Sequence, residues 1–385
     1  MHKPSKIQQV FLHSYEYFHA SNFHVSGVQE KTAAAILNCK SGSLGCNINQ
    51  CTDCGHMEFH NNSCRNRNCP NCQAILKEIW IDKRRAEVID SPYFHVVFTV
   101  PHELNPLIYG NQELLYSLLH RCSSETLLEL ARDRKYLGAT PGIIQVLHTW
   151  GQTLNFHPHI HCIVSGGGLS ADNKLRKCGE KFFLPIHAMA KMFRGKFLAY
   201  LQKFYVAEKL VFSSSCTELR NSYSWSEFRD ALYKTDWCPY IKETFNGFGN
   251  AIEYLGRYTH RITITNTRIQ SVNETQVSFL ARDYKSGETK TVTLENTEFI
   301  RRFLMHVLPS GFQKIRYYGF LNNRTKTKNL KIIFKLQGYQ KFKQRYVGLS
   351  IAELLKEVWN YDIRVCPACG CSSMTHLGRS YAYRS

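Results

Sequence analysis

The sequence predicts an α+β protein with an N-terminal helical and zinc-ribbon-like domain and a small basic C-terminal region. Three observations predict it. Residues 143–169, IIQVLHTWGQTLNFHPHIHCIVSGGGL, read as a β-hairpin that carries histidines on one face. Two CxxC pairs, Cys51/Cys54 and Cys69/Cys72, lie at zinc-knuckle spacing. Segments of helical hydrophobic period alternate with short β-branched runs along the rest of the chain.

At 385 residues the chain is long enough for two or three domains with their own cores. A formal charge of +19 exceeds what solubility requires and points to a polyanionic partner, nucleic acid first. No stretch approaches the roughly 20 apolar residues of a membrane span, and the N-terminus lacks the apolar core of a signal peptide. The expected location is the cytoplasm. Many of the 15 cysteines fall in CxxC pairs, which in a reducing compartment favours metal ligation over disulfides.

Residues 1 to about 38 read as helical, and the cysteine-rich part follows. Four thiolates from Cys51, Cys54, Cys69 and Cys72 complete a closed tetrahedral shell, so one structural Zn2+ is expected there. Cys39, Cys46 and Cys64 remain as substitutes or members of a second site. Arg65 and Arg67 lie on the rim, where arginines contact phosphates or are simply solvated. A helix is expected over 73–90 and a buried strand over 93–100, whose His95 reads as a structural histidine. A second helix is expected over 114–130.

In the hairpin, His159 and His161 flank one apolar residue and so share a strand face. Ile144, Val146, His148 and Trp150 share a face of the preceding run. A turn centred between Thr153 and Leu154 places His148 directly opposite His159, at the roughly 4.5–5.5 Å Cβ spacing of cross-strand pairs. Three imidazoles then converge on one divalent ion. His157 has the same parity, but Pro158 disturbs the strand there.

After the hairpin come a short strand over 181–184 and helices over 188–210 and 226–234. Tyr254 and Tyr258, in AIEYLGRYTHRITITNTR, are four apart and share a helix face, with Arg257 and Arg261 nearby. They read as paired nucleophiles or as amphipathic core tyrosines. A strand over 262–264 and a hairpin over 276–293 follow. Residues 299–321 mix Arg301, Arg302, Lys314 and Arg316 with Phe303, Phe312, Tyr317 and Tyr318, which suits phosphate contact and base stacking or a core with solvated charges. Residues 322–331 read as a basic linker. The tail carries half a zinc ribbon, Cys366/Cys369, with no second pair near it in sequence. The expected divisions are 1–90, 91–275, 276–330 and 331–385.

Taken together, QCTDCGH…SCRNRNCPNCQ, HTWGQTLNFHPHIHCIVSGGGL, AIEYLGRYTHRI and HVLPSGFQKIRYYGFL resemble the rolling-circle insertion-sequence transposases. These are the two-tyrosine group of the HUH endonucleases. The resemblance covers most of the chain. It implies an HUH-type antiparallel sheet with helices packed on one side, His159 and His161 as metal ligands, and Tyr254 and Tyr258 as nucleophiles. His148 as third ligand rests on the register and on the similar pattern of relaxases. The resemblance also implies cleavage of single-stranded DNA at element ends and target, a 5′-phosphotyrosine intermediate, Mg2+ or Mn2+, and a bacterial, nucleoid-associated protein. The sequence has no GxxxxGK[ST] phosphate loop, so a host helicase is an expected partner. The rival readings are a replication initiator or relaxase with the same chemistry, a non-catalytic zinc-dependent DNA-binding protein, and a hydrolytic zinc enzyme.

Overall fold

A computed structural model of the chain describes residues 3–21, 23–179, 184–237, 239–243, 256, 263–283, 286–338 and 343–381. Its elements are α1 (Lys6–Ala20), α2 (Gly27–Asn38), β1 (Cys46–Cys51), β2 (Met57–Asn61), α3 (Gln73–Arg85), β3 (Tyr93–Thr99), α4 (Asn105–Gly110) and α5 (Gln112–Arg132). Then come β4 (Thr140–Trp150), β5 (Phe156–Leu169), β6 (Leu175–Lys177), α6 (Ile186–Val206), α7 (Ser222–Lys234), β7 (Tyr240–Glu243), β8 (Ile269–Val272), β9 (Gln276–Arg282) and β10 (Thr289–Glu295). The chain ends with α8 (Asn296–Met305), β11 (Ile315–Gly319), α9 (Lys326–Gln337), α10 (Ile351–Trp359) and β12 (Met374–Ser380). The fold is α+β, and its strands pair antiparallel in three sheets: β11-β4-β5-β3-β7 with β6 beside β5, β10-β9-β8, and β12-β1-β2.

The central sheet is built on β4 and β5, whose alternation sends two sets of side chains to opposite faces. Phe94, Val96, Phe98, Ile143, Leu147, Ile160, Cys162 and Val164 enter a core with residues of α5 and α6, such as Leu119, Phe193 and Phe197. Each such side chain contributes about 1.5–3 kcal/mol by leaving water. On the other face Tyr93, Ile144, Val146 and Ile163 pack with Ile81 of α3 and with Leu330 and Ile333 of α9. Helices therefore cover both faces, not the one side that the resemblance implies. The expected linker over 322–331 runs instead into α9, because Leu330 and Ile333 recur at helical spacing among its lysines.

Glycine ends the hairpin for a steric reason. A Cβ on Gly168 would lie 2.2 Å from the carbonyl oxygen of Thr140, and one on Gly319, at φ +63°, would lie 1.7 Å from that of Pro141. Neither backbone oxygen can move without breaking the sheet.

Residues expected to form one N-terminal domain divide between two places. Helices α1 and α2 pack against α8 and the β10-β9-β8 sheet, where Ile7, Phe11 and Ile36 share a core with Phe279, Phe299 and Phe303. The backbone N–H of Ile7 donates to Asn266 Oδ1 at 3.1 Å, and Gln29 Nε2 donates to the carbonyl of Leu304 at 2.9 Å. The basic and aromatic stretch also divides, since α8 joins this module and β11 the central sheet. Of the expected strand over 181–184, residues 181–183 lie outside the described residues. So does residue 262 of the strand expected over 262–264, whose remaining two residues form a bend.

This second module holds the turn of the histidine hairpin. Arg302 Nη1 donates to the carbonyl of Thr153 at 3.0 Å, Arg268 Nη2 to that of Gln152 at 2.6 Å, and His306 Nε2 to that of Leu154 at 3.0 Å. Leu154 is fully buried and has φ +64°, so the turn is tied down rather than solvated. Burial pulls the His306 pKa down to about 4 from 6.5, while the bond to the Leu154 carbonyl opposes the fall. The unfolded chain thus binds more protons than the folded chain between those values. The stability from neutral His306 is complete above pH 6.5 and is lost as pH falls towards 4, by up to about 3 kcal/mol. Urea unfolding at pH 7 and pH 4.5 should show this loss, and His306→Gln should make the difference between the two pH values smaller.

Candidate metal centres

The register of β4 with β5 sets His148 directly against His159, the pairing expected from a turn centred at residues 153 and 154. The ring nitrogens of His148, His159 and His161 lie within 4.8 Å of one another, and each residue is at most 9% exposed. The Nδ1–H of His159 donates to the carbonyl oxygen of His157 at 2.6 Å, which turns its Nε2 lone pair inward. That Nε2 is 3.0 Å from Nε2 of His161. Two imidazole lone pairs at this distance repel unless a proton or a cation lies between them. Two cis ligands on an octahedral ion at about 2.1 Å would stand about 3.0 Å apart, so the pair fits a divalent ion.

Sequence reasoning set His95 aside, but it belongs here. On β3, beside β5, its Nε2 lies 2.8 Å from Nδ1 of His161 and the two rings stack with centroids 5.0 Å apart. A ligating histidine usually bonds through its second nitrogen to a fixed partner, which sets tautomer and ring orientation. His95 occupies that position for His161. The signal available in the sequence was parity, since His95 alternates with the core-facing Phe94 and Val96. Trp150 stacks on His148 at 4.6 Å, and Lys314 Nζ sits 4.9 Å from the centroid of the Trp150 ring.

The cysteines do not group as expected. Cys51 and Cys54 join Cys366 and Cys369, whereas Cys69 and Cys72 join Cys39 and Cys64. The single set Cys51, Cys54, Cys69 and Cys72 fails because the β1–β2 hairpin separates its halves. Cys51 ends β1 at the turn, and the other end of β1, Cys46 opposite Asn61, leads on to Cys64. A strand of this length spans about 17 Å, too far for one ion.

Both observed sets fit zinc. The Sγ–Sγ separations Cys39–Cys72, Cys64–Cys72, Cys51–Cys369 and Cys54–Cys366 are each 3.6 Å. A tetrahedron with Zn–S of about 2.3 Å has edges of about 3.8 Å. The Ser373 hydroxyl, 3.1 Å from Cys51 Sγ, and backbone N–H groups of the Cys51–Cys54 turn bring the Cys51 thiol down to about 6, towards the thiolate that a metal requires. Cys46 and Cys371 belong to neither set.

The structure distributes the expected DNA-contacting residues differently from the sequence reading. Arg67 donates to the carbonyls of Phe312, Leu308 and Pro309 at 2.7–3.0 Å, so its guanidinium is committed to the fold. Arg316 donates to Ser117 Oγ on α5 at 3.0 Å and lies over Phe312, on the face that α5 and α6 cover. Arg301 and Arg302 pair with Glu298 at 2.6 Å, and Phe303 and Phe312 are core residues. Arg65 is exposed, and Lys314 lies over Trp150 on the histidine face. Tyr254, Tyr258, Arg257 and Arg261 lie outside the described residues. Gly256, between the two tyrosines, is helical and buried, and a Cβ there would stand 2.3 Å from Ile81 Cδ1 of α3.

Metal analysis of the purified chain should find two zinc ions. Cys39→Ser and Cys366→Ser should each remove one, and Cys371→Ser none. Full zinc content in Cys366→Ser would restore the grouping expected from sequence.

Residues 142–331 match the family model described as "Putative transposase" (Y2_Tnp), and residues 10–100 match the "Transposase zinc-binding domain" (Zn_Tnp_IS91). Among curated proteins, the chain is 38% identical to "Putative transposase y4qJ" of Sinorhizobium fredii, over 94% of this chain and 92% of the relative. It is 28% identical to "Transposase for insertion sequence element IS801" of Pseudomonas savastanoi pv. phaseolicola, over 89% of this chain and 82% of the relative. No solved structure matches the chain significantly. A zinc-binding module, a buried histidine centre and these matches together show that the chain belongs to the IS91 family of transposases, enzymes that act on DNA.

Proposed function

We propose that this transposase cuts and rejoins single-stranded DNA at element ends by tyrosine attack on a metal-polarised phosphate. The observation that carries the reading is the convergence of His148, His159 and His161 on one buried point of a rigid sheet. Gly256 supports it, because the residue between the two tyrosines packs on Ile81, itself part of the apolar cluster on the histidine-bearing face. A glycine at that contact lets the backbone at position 256 lie close against α3.

His148, His159 and His161 would hold the divalent ion, and His95 would orient His161. Mg2+ or Mn2+ held there would supply polarisation of a phosphoryl oxygen and stabilisation of the leaving oxygen. Tyr254 or Tyr258 loses its phenolic proton and attacks phosphorus. The new bond joins tyrosine oxygen to a 5′-phosphate, and the departing 3′-oxygen takes a proton to become a free hydroxyl. Attack of a 3′-hydroxyl on the phosphotyrosine reverses the step without ATP, since the bond energy is retained. Two tyrosines permit two transfers in succession. Lys314, on the histidine side of β11, is placed to meet the strand's negative charge.

Incubation with labelled single-stranded DNA from the element ends and Mg2+ should yield a denaturant-resistant protein–DNA adduct. Tyr254→Phe/Tyr258→Phe should abolish it, and so should His161→Ala. Tight binding of cognate ends without any adduct would favour a DNA-binding protein lacking this chemistry. His95→Ala should raise the Mg2+ concentration needed for half-maximal adduct by about 10- to 100-fold, with yield restored at saturating metal. Loss of yield at every metal concentration would give His95 a purely structural role.

A further inference from the structure

The β12-β1-β2 sheet joins strands that lie far apart in sequence. β12 pairs with β1 in a register that sets Arg379 opposite Asn47 and Met374 opposite Cys51. The Cys51/Cys54/Cys366/Cys369 set clasps the same junction across 312 residues of sequence between Cys54 and Cys366. The matched zinc-binding domain ends at residue 100, so half of this clasp comes from far beyond it.

At the end of this sheet away from the clasp, against Cys64 of the first cysteine set, lies a polar cleft of about 390 Å³, lined among others by Asn47, Asn62, Ser63, Arg65, Arg379 and Tyr381. That volume is in the range of a site for a small molecule or one nucleotide. Each arginine is carried by a different cysteine set. Arg65 is in the knuckle of the first, with φ +55° and its backbone N–H against the Cys72 sulfur. Arg379 stands on the strand that follows the second. Both are exposed, and no carboxylate lines the cleft among the described residues. Its wall is fixed by amides, with Asn47 Nδ2 donating to Asn62 Oδ1 at 3.0 Å and Asn62 Nδ2 to the carbonyl of Leu44 at 2.9 Å. Tyr381, 80% exposed, offers an open aromatic ring at the edge.

We propose that this cleft is a single-stranded DNA contact assembled from segments far apart in sequence, in which Arg65 and Arg379 bind backbone phosphates and Tyr381 stacks a base. Cations that track phosphates, together with an aromatic face, are how proteins hold unpaired strands without reading their sequence. The excess positive charge of the chain agrees with a polyanion, and an unpaired strand is what gives Tyr381 a base to stack. By fixing the start of β12 against β1, the second cysteine set anchors the strand that carries Arg379 and leads to Tyr381, so it serves DNA binding from the other end of the sheet. The assignment rests on the single-strand reading above.

The test is fluorescence anisotropy of the full-length chain with a labelled single-stranded DNA of about 12 nucleotides, across a salt series. Arg65→Ala/Arg379→Ala should reduce the slope of log K against log salt by about 1.4, or about 0.7 for each phosphate no longer neutralised. Tyr381→Ala should weaken binding at least about fivefold at fixed salt, and Tyr381→Phe should not. Both effects should be seen with two zinc ions still bound. In Cys366→Ser, adding Arg379→Ala should change nothing further. An unchanged slope in the double arginine variant would overturn the proposal. So would equal losses on duplex and single strand with Tyr381→Ala silent. Adduct formation separates this result from the catalytic one: adduct with an unchanged slope refutes the cleft alone, and these losses in a wild-type chain that forms no adduct refute the chemistry alone.

Discussion

The pairing register between β4 and β5 is the constraint on which the site depends. Side chains alternate along a strand, so a slip of one residue would turn His159 and His161 into the core beneath α5 and α6 and bring Ile160 to the opposite face. The fold pins the register at both ends. At the turn, Arg268, Arg302 and His306 hold three successive carbonyls. At the other end, Gly168 and Gly319 let strands close where any Cβ would strike backbone oxygen. The three anchoring side chains come from the module of α1, α2, α8 and the second sheet, which thereby supports a centre that it does not supply with candidate ligands.

The zinc-binding part follows a different physical logic. Its strands are short and its apolar cluster at the second cysteine set is small, comprising Cys51, Cys366 and Met374. Metal coordination supplies the cross-links that so little buried surface cannot. Using Cys366 and Cys369 brings the C-terminal strand back onto β1. Strands β1 and β12, more than 300 positions apart, thereby become neighbours in one sheet.

The proposed reaction requires a grip on a flexible polyanion and presentation of one phosphate to a fixed centre. The two tasks fall on different architecture. A metal seat needs atoms held to within about half an ångström, which a central strand buried on both sides provides. The proposed contact along the strand needs only exposed arginines and a tyrosine at a rim. His95 illustrates the first demand, because its buried ring meets His161 at 2.8 Å on the adjacent strand.

Much of the centre was legible from residue order alone. Alternation in Ile144, Val146, His148 and Trp150, with His-Ile-His after a turn, was enough to bring three histidines together, because both signals are local. The identity of the CxxC halves was equally local and equally legible. Their pairing was not: Cys51/Cys54 and Cys69/Cys72 have the spacing of a single site, and only the β1–β2 ladder shows that a strand's length separates them. The unpaired half-ribbon at Cys366/Cys369 was the clue that a second site existed. In the same way, basic residues announced nucleic acid, but only packing revealed that Arg67 and Arg316 are bonded within the fold while Arg65 is exposed. Sequence by itself determined the α+β class, the histidine face and the metal-binding residue types, since these follow from periodicity and side-chain chemistry. Tertiary structure decided which cysteines meet, that His95 lies against His161, and that β12 pairs with β1. Those are contacts between residues tens to hundreds of positions apart, and no local pattern encodes their distance.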